Sequence, residues 1–462
     1  MKPLGLLGFW NSNADKFDAA EVLQTGLYGI QHRGQQSGGI CVNDKGRFIY
    51  HKELGLVSEI FDDIVIRHLH GGSAGVAHVG YLTKGEVSRE NAQPIVMKYS
   101  RGQMALAFDG NLLNMQKLRA SFEERGHFFQ SGSPAEIAAA MLSMERVNQH
   151  SIEDAQSRVM HEMKGAFSLL VMTPRKLMAV RDTYGVKPLC IGKLADSYVF
   201  ASESCALDAI GAEFVRDVLP GEIVVASETG CASSRISIKN KSALCVFELV
   251  YFARSDSYID GVSVFRARMD MGAALARESP APEADIVIGA PDSAIPAALG
   301  YALASGIPYT EGLIKNRYIG RTFIQPGQTA REAAVYLKLN PQKSQVSGKS
   351  LVLVEDSIVR GTTTKRVINL LKQRGGAREV HVRVGSPMVR FPCYYGIDTR
   401  DGESLIANKM KKDEICAMLG ADSLEFLSHD GLMSVTRENK CNHCTACFSG
   451  NYPISATEGS ND

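Results

Sequence analysis

Two adjacent carboxylates at the end of an apolar run stand out first. They lie in Val354-Glu355-Asp356-Ser357-Ile358-Val359-Arg360-Gly361-Thr362-Thr363-Thr364. The residues before them, Ser350-Leu351-Val352-Leu353, predict a buried strand that delivers both acids at its C-terminal end. A loop of small residues then opens a helix expected over 363–374. Ligands of open α/β sheets bind at this edge. Backbone N–H groups from Gly361 to Thr364 are placed to ring a phosphate, and the helix N-terminus adds its positive dipole end. Glu355 and Asp356 are suited to hold sugar hydroxyls and, directly or through water, a magnesium ion. A plain strand–loop–helix junction with a capping threonine would leave the paired acids unexplained.

Cysteine supplies the second pattern. Cys441-x2-Cys444-x2-Cys447 lies near the end of a chain with 10 cysteines scattered through it. In a reducing compartment such spacing points to metal before disulfide. Spacing alone leaves zinc and an iron–sulfur cluster both open.

The elements that must position these groups fall into two styles. Up to about residue 234 the chain carries short β-like runs, as at 105–108, 168–172 and 222–226, with a helical pattern at 135–144. From about residue 258 apolar strands alternate with amphipathic helices: a strand at 286–289, a helix at 295–305, and a strand at 380–384. That order predicts a parallel α/β sheet. A length of 462 residues accommodates two or three domains. The net charge of +1 gives no reason to expect nucleic acid or an anionic membrane as partner. No apolar run approaches the roughly 20 residues of a membrane span. No signal peptide is read at the start, and a cytoplasmic location is expected. The end, 456–462, is expected to be loose.

The acid-pair motif is similar to the phosphoribosylpyrophosphate (PRPP) signature of type I phosphoribosyltransferases. The wider text resembles the glutamine PRPP amidotransferase family from Leu4 to Pro453. Gln31-His32-Arg33-Gly34-Gln35, Tyr251-Phe252-Ala253-Arg254-Ser255-Asp256-Ser257 and 312–324 carry the likeness. The resemblance implies a four-layer αββα sandwich of the N-terminal-nucleophile hydrolase type, followed by a type I phosphoribosyltransferase fold with a central parallel sheet. It implies a glutamine amidotransferase-like domain over 1–240, a linker over 241–260, a transferase domain over 261–435 and a cysteine-rich tail over 436–462. PRPP would meet Glu355, Asp356, Ser357, Arg360, Gly361, Thr362, Thr363 and Thr364. A closing loop over 315–338 would add Lys315, Arg317, Tyr318, Arg321 and Lys338. Magnesium would sit by Ser293, Glu355 and Asp356. The family usually has two aspartates where this chain has Glu355 and Asp356. A 4Fe–4S cluster is implied at Cys245, Cys393, Cys444 and Cys447, with Cys441 a bystander. A homo-oligomer, and purine nucleotides as inhibitors at the PRPP site, are implied as well.

The departures cluster in the front half. Where the family has a nucleophilic N-terminal cysteine, this chain has Leu4. The arginine that grips the glutamine carboxylate is Gly80, with Lys84 nearby. The first asparagine of an Asn-Gly-Asn oxyanion hole is Asp109, and the aspartate that binds the glutamine amino group falls at Pro134. A leucine cannot attack an amide carbonyl, and a carboxylate repels a developing oxyanion. Glutamine hydrolysis is therefore expected to be lost. Three readings follow: a transferase of ammonia, supplied free or by a separate glutaminase; a transferase serving another amine in a specialised pathway; or a non-catalytic paralogue that binds PRPP or nucleotides and regulates a partner.

Overall fold

The computed structural model describes residues 4–11, 16–82, 87–236, 241–316, 318, 339–397, 399, 402–435 and 442–455. Arg317, Arg321, Lys338, Lys84 and Cys441 lie outside them.

Short strands buried on both faces build two stacked antiparallel sheets in the front half. One has seven strands, with Gly5–Trp10 paired between Ser197–Ala201 and Ala74–Gly80. The other has six, with Gly165–Thr173 between Gly102–Leu112 and Lys176–Arg181. Leu6 and Trp10 point inward to meet Ala105, Ala107 and Leu170 of the opposite sheet. Leu7 and Phe9 point outward against the helix Ala19–Gly29. On the far side Leu106, Phe108 and Leu169 meet the helices Pro134–Asn148 and Ile152–Glu162. The order helix, sheet, sheet, helix is the expected four-layer sandwich. It follows from period-2 strands with two apolar faces.

The second half is a four-stranded, wholly parallel sheet in the order Ile286–Gly289, Ser350–Glu355, Glu379–Val384, Ser423–Phe426. Both faces are covered, which is why the strands read as continuous apolar runs. Val352 and Val354 face the helices Val264–Glu278 and Ile295–Ser305. Leu351 and Leu353 face Thr362–Asn369 and Lys412–Leu419. The first two helices touch backbone to backbone: a methyl at Gly272 would sit 1.8 Å from the Ala297 carbonyl oxygen.

The helix expected over 363–374 starts one residue earlier. It runs as α-helix only to Asn369, and wider π-type turns continue it over Leu370–Gly375. The front strand expected at 105–108 extends over Gly102–Leu112. A two-residue parallel pairing of Leu244–Cys245 with His443–Cys444 pins the tail against the linker. Among the described residues no helix is long and apolar enough to cross a membrane.

Candidate active site

The strand Ser350–Glu355 ends with Glu355 buried and Asp356 partly exposed. Ser293 Oγ donates to Asp356 Oδ2 at 2.5 Å, and Ser357 Oγ donates to Asp356 Oδ1 at 2.7 Å. The three residues expected around magnesium thus converge. Lys315 pairs with Asp292, one residue from Ser293, so one described cation of the closing segment already stands at this edge. Tyr318 is fully exposed. Arg360, Thr362 and Thr363 also face outward, while Thr364 is buried and hydrogen-bonds Glu355. Gly361 caps the helix with φ +73°, a left-handed conformation that strains any other residue, and a methyl there would press on Ile406.

Burial first and the Asp356 charge second push the Glu355 carboxyl up to about 8. Asp356 is also raised by burial, against the hydrogen bonds from Ser293 and Ser357 and the nearby Arg268 charge. Glu355 Oε1 has no protein partner. Two close carboxylates, one with an unsatisfied buried oxygen, form a site whose charge calls for a cation and hydroxyl donors. The donor set is all oxygen, which suits magnesium. Among the described residues no three His, Cys, Asp or Glu side chains converge as ligands of one ion. A more open cleft of about 420 Å³, lined by Pro387, Arg390, Phe426 and Phe448 among others, has no carboxylate in its walls. Its volume is larger than the chemistry it offers, so the acid pair remains the candidate centre.

The altered front residues also come together. Leu4, His78, Gln93, Phe108, Gly110 and Pro134 line a cavity of about 40 Å³. At about 10–15 Å³ per water that is room for a few waters, far below the ~300 Å³ or more of ordinary ligand pockets. A methyl at Gly80 would lie 2.6 Å from His78 Cε1 and 3.3 Å from Leu4 Cδ2. An arginine there would require the imidazole to move. Asp109 turns towards charge: it accepts the Leu4 N–H at 3.1 Å and lies 3.5 Å from Arg33 and 3.9 Å from Lys187. Arg33, fully buried, also binds Glu203 at 2.7 Å, Glu248 at 2.9 Å and the Leu4 carbonyl at 2.8 Å. Pro134 opens its helix at the first turn, capped by Ser133.

Sequence reasoning missed His78, whose ring fills the space above Gly80. Neither ring nitrogen has a protein partner, and burial first, then Lys52, lowers its pKa to about 3. As pH falls from 6.5 towards 3 the unfolded chain takes up a proton that the folded chain refuses, so stability is lost across that window. His78→Leu is expected to give a shallower fall in melting temperature between about pH 6.5 and pH 5 than the parent chain. An identical acid limb would show that the ring is hydrated rather than enclosed. Arg268 was missed too. Its guanidinium donates to the carbonyls of Leu249 and Ala253 at 2.8 Å and lies in the field of Asp356. A lone arginine in an amphipathic helix carries no local signal of this.

The four expected cluster cysteines lie along the seam of the two halves, and among the described residues no three of them group around a single ion. Cys245 pairs in register with Cys444. Cys447 is electrostatically coupled to Cys245, Cys393 and Cys444. The Cys447 carbonyl accepts the N–H groups of Arg390 and Phe391, close to Cys393. Burial first, and neighbouring thiols after it, push Cys444 up to about 12 and raise Cys245 and Cys447 as well. None of the four is in a disulfide.

Comparison with known proteins agrees with this geometry. A family model described as a glutamine amidotransferase domain matches residues 83–209. The chain is 43% identical over 453 residues to the amidophosphoribosyltransferase of Archaeoglobus fulgidus, covering 98% of each protein. It is 42% identical to that of Bacillus subtilis, covering 97% of this chain and 94% of the relative. The solved glutamine PRPP amidotransferase from B. subtilis, complexed with ADP and GMP, superposes with a TM-score of 0.90 at 41% identity over 98% of both chains. A structure of the allosteric regulatory enzyme of purine biosynthesis superposes with a TM-score of 0.91 at 42% identity, over 98% of this chain and 96% of that one.

Proposed function

The chain belongs to the amidophosphoribosyltransferase family, and we propose that it joins ammonia to the ribose of PRPP, forming 5-phosphoribosylamine and pyrophosphate for purine synthesis, without hydrolysing glutamine. The observation that carries this reading is the contrast between its two sites. The acid pair at the sheet edge keeps its oxygen donors and its helix N-terminus, while the front pocket holds Leu4 with its amide donated to Asp109. In this reading residues 1–240 are the degenerate amidotransferase domain, 241–260 the linker, 261–435 the transferase domain and 436–462 the tail.

The chemistry assigns roles to the chain's own residues. Glu355 and Asp356 accept the ribose hydroxyls and fix the sugar at the strand end. Ser357, Arg360, Gly361, Thr362, Thr363 and Thr364 surround the 5′-phosphate, with backbone N–H groups and the helix dipole facing the anion. Lys315 and the cations at Arg317 and Arg321, with Tyr318, close over the pyrophosphate as it leaves and exclude water. Ser293, Glu355 and Asp356 would hold magnesium, which would supply neutralising charge for the leaving oxygens. Glu355 carries one methylene more than the usual aspartate and brings its carboxylate further into the sugar site.

Cys245, Cys393, Cys444 and Cys447 bind a 4Fe–4S cluster in this reading. The lack of a single-ion site among the described residues is no obstacle, because each thiolate of such a cluster binds its own iron. The cluster ties linker, transferase domain and tail. Cys444→Ser is expected to lose most of the bound iron and sulfide and to lower the melting temperature by several degrees, about the effect of a 1–3 kcal/mol loss. Full iron content in that variant would exclude Cys444 as a ligand.

Ammonia reaches the transferase free or from a separate glutaminase, in a cytoplasmic homo-oligomer, and purine nucleotides compete at the PRPP site. The direct test is pyrophosphate release from PRPP and magnesium, measured with ammonium and with a panel of amines. Turnover with ammonium is the expected result. Turnover with one amine and none with ammonium would move the enzyme to a specialised pathway. Binding without turnover would make it a regulatory paralogue.

A further inference from the structure

We infer that Lys187 is the buried cation that sets the redox poise of the thiolate-bound cluster, and that it is shared between that centre and Asp109. The inference rests on the iron–sulfur reading above and concerns a residue to which that reading gives no role.

Lys187 is 2% exposed, and its Nζ faces the Asp109 carboxylate. Its backbone is fixed: the Lys187 carbonyl accepts Arg181 Nε at 2.8 Å and Ser168 Oγ at 3.2 Å. The preceding carbonyl, of Val186, accepts the Cys245 N–H at 3.0 Å. Cys245 in turn is paired with Cys444. The segment bearing Cys393 arrives from the front pocket's side, where Asn111 Nδ2 donates to the Tyr394 carbonyl at 2.8 Å. A methyl on Gly396 would lie 3.3 Å from the Gly110 carbonyl carbon. The strand that carries Asp109 therefore touches the loop that carries Cys393.

Lys187 stands in this seam. Its Nζ is 3.9 Å from Asp109 Oδ1. Its other electrostatic neighbours are Glu248, Cys245 and Cys393, and its charge is felt at Cys444 too. Burial alone would lower its pKa, but the carboxylates, Asp109 first and Glu248 next, outweigh burial and raise it. The ammonium is thus held by Asp109, while the cysteine-bearing segments pack against the same strand and the neighbouring Val186 carbonyl.

A cluster held by four thiolates is negatively charged, and reduction makes it more so. A fixed neighbouring cation favours the reduced form, and a carboxylate that neutralises the cation opposes that effect. Asp109, standing where the family has asparagine, is such a carboxylate.

The test uses the full chain purified anaerobically, with iron and sulfide assayed and the midpoint potential read by an EPR-monitored redox titration. Lys187→Met is expected to keep its iron and shift the midpoint to lower potential, whereas Lys187→Arg, which keeps the charge, stays near the parent value. Asp109→Asn is expected to shift the midpoint upward, and it serves as the independent variant if Lys187→Met fails to fold. A merely structural role would alter melting temperature without moving the potential. An iron-loaded Lys187→Met with an unchanged midpoint, or an unchanged Asp109→Asn, would overturn the inference while leaving the cluster in place. Absence of iron and sulfide from the parent chain would overturn both the inference and the cluster. Turnover of PRPP with ammonium is measured separately and depends on neither.

Discussion

Asp356→Asn is expected to lower PRPP turnover at least about a hundredfold with little change in melting temperature, because one charge at the reacting site is removed without a change of shape. The reasoning is local. Asp356 is bracketed by Ser293 and Ser357, so an amide of the same size keeps the packing. What it loses is the negative charge that draws magnesium and accepts sugar hydroxyls. The neighbouring Glu355 does not compensate. Burial, the larger cause of its raised pKa, persists when the Asp356 charge is removed, so a charge on Glu355 is still disfavoured in the variant. Steady-state rates with saturating PRPP and magnesium, paired with thermal melts, check the prediction. Unaltered kcat/KM would remove Asp356 from the site.

Glutamine is expected to support turnover at least about a thousandfold more slowly than ammonium, and single reversions in the front pocket are expected to leave that ratio unchanged. Four changes act on one site. Leu4 supplies no nucleophile. Gly80 supplies no cation, and the His78 ring occupies its place. Asp109 accepts the Leu4 N–H and faces Arg33 and Lys187, and so offers a developing oxyanion no donor. Pro134 removes a carboxylate and closes a cavity of about 40 Å³. Leu4→Cys alone therefore remains inactive with glutamine, because the new thiol meets no substrate pocket. Ammonia release from glutamine by the parent chain and by Leu4→Cys is the measurement. Efficient release by the parent would contradict the loss of the front half's chemistry.

The parts of this account that were legible in the sequence are those with local signals. The run Ser350 to Val354 is apolar because both faces of a parallel strand are covered, and the acids that follow mark its exposed end. The Gly361 turn was legible as a loop of small residues that opens a helix, whereas its left-handed backbone was not. The four-layer front half came from the family resemblance. Short β-like runs specify strands but leave open which strands pair, and Gly5–Trp10 finds its neighbours at Ala74–Gly80 and Ser197–Ala201. The Arg33 network was invisible for a related reason: its partners Glu203 and Glu248 lie 170 and 215 residues away. Charges paired across such distances leave no period. The shared position of Lys187 depends on how two domains meet, and the helix that widens after Asn369 reflects packing rather than propensity. The cysteines were legible as ligand types, but only the fold brings Cys245 beside Cys444.

The most direct test is calorimetric titration of the magnesium-supplied full chain with PRPP. One saturable site per chain, weakened by both Asp356→Asn and Thr364→Val, is the predicted result. No detectable binding of PRPP by folded protein would contradict the account at its root.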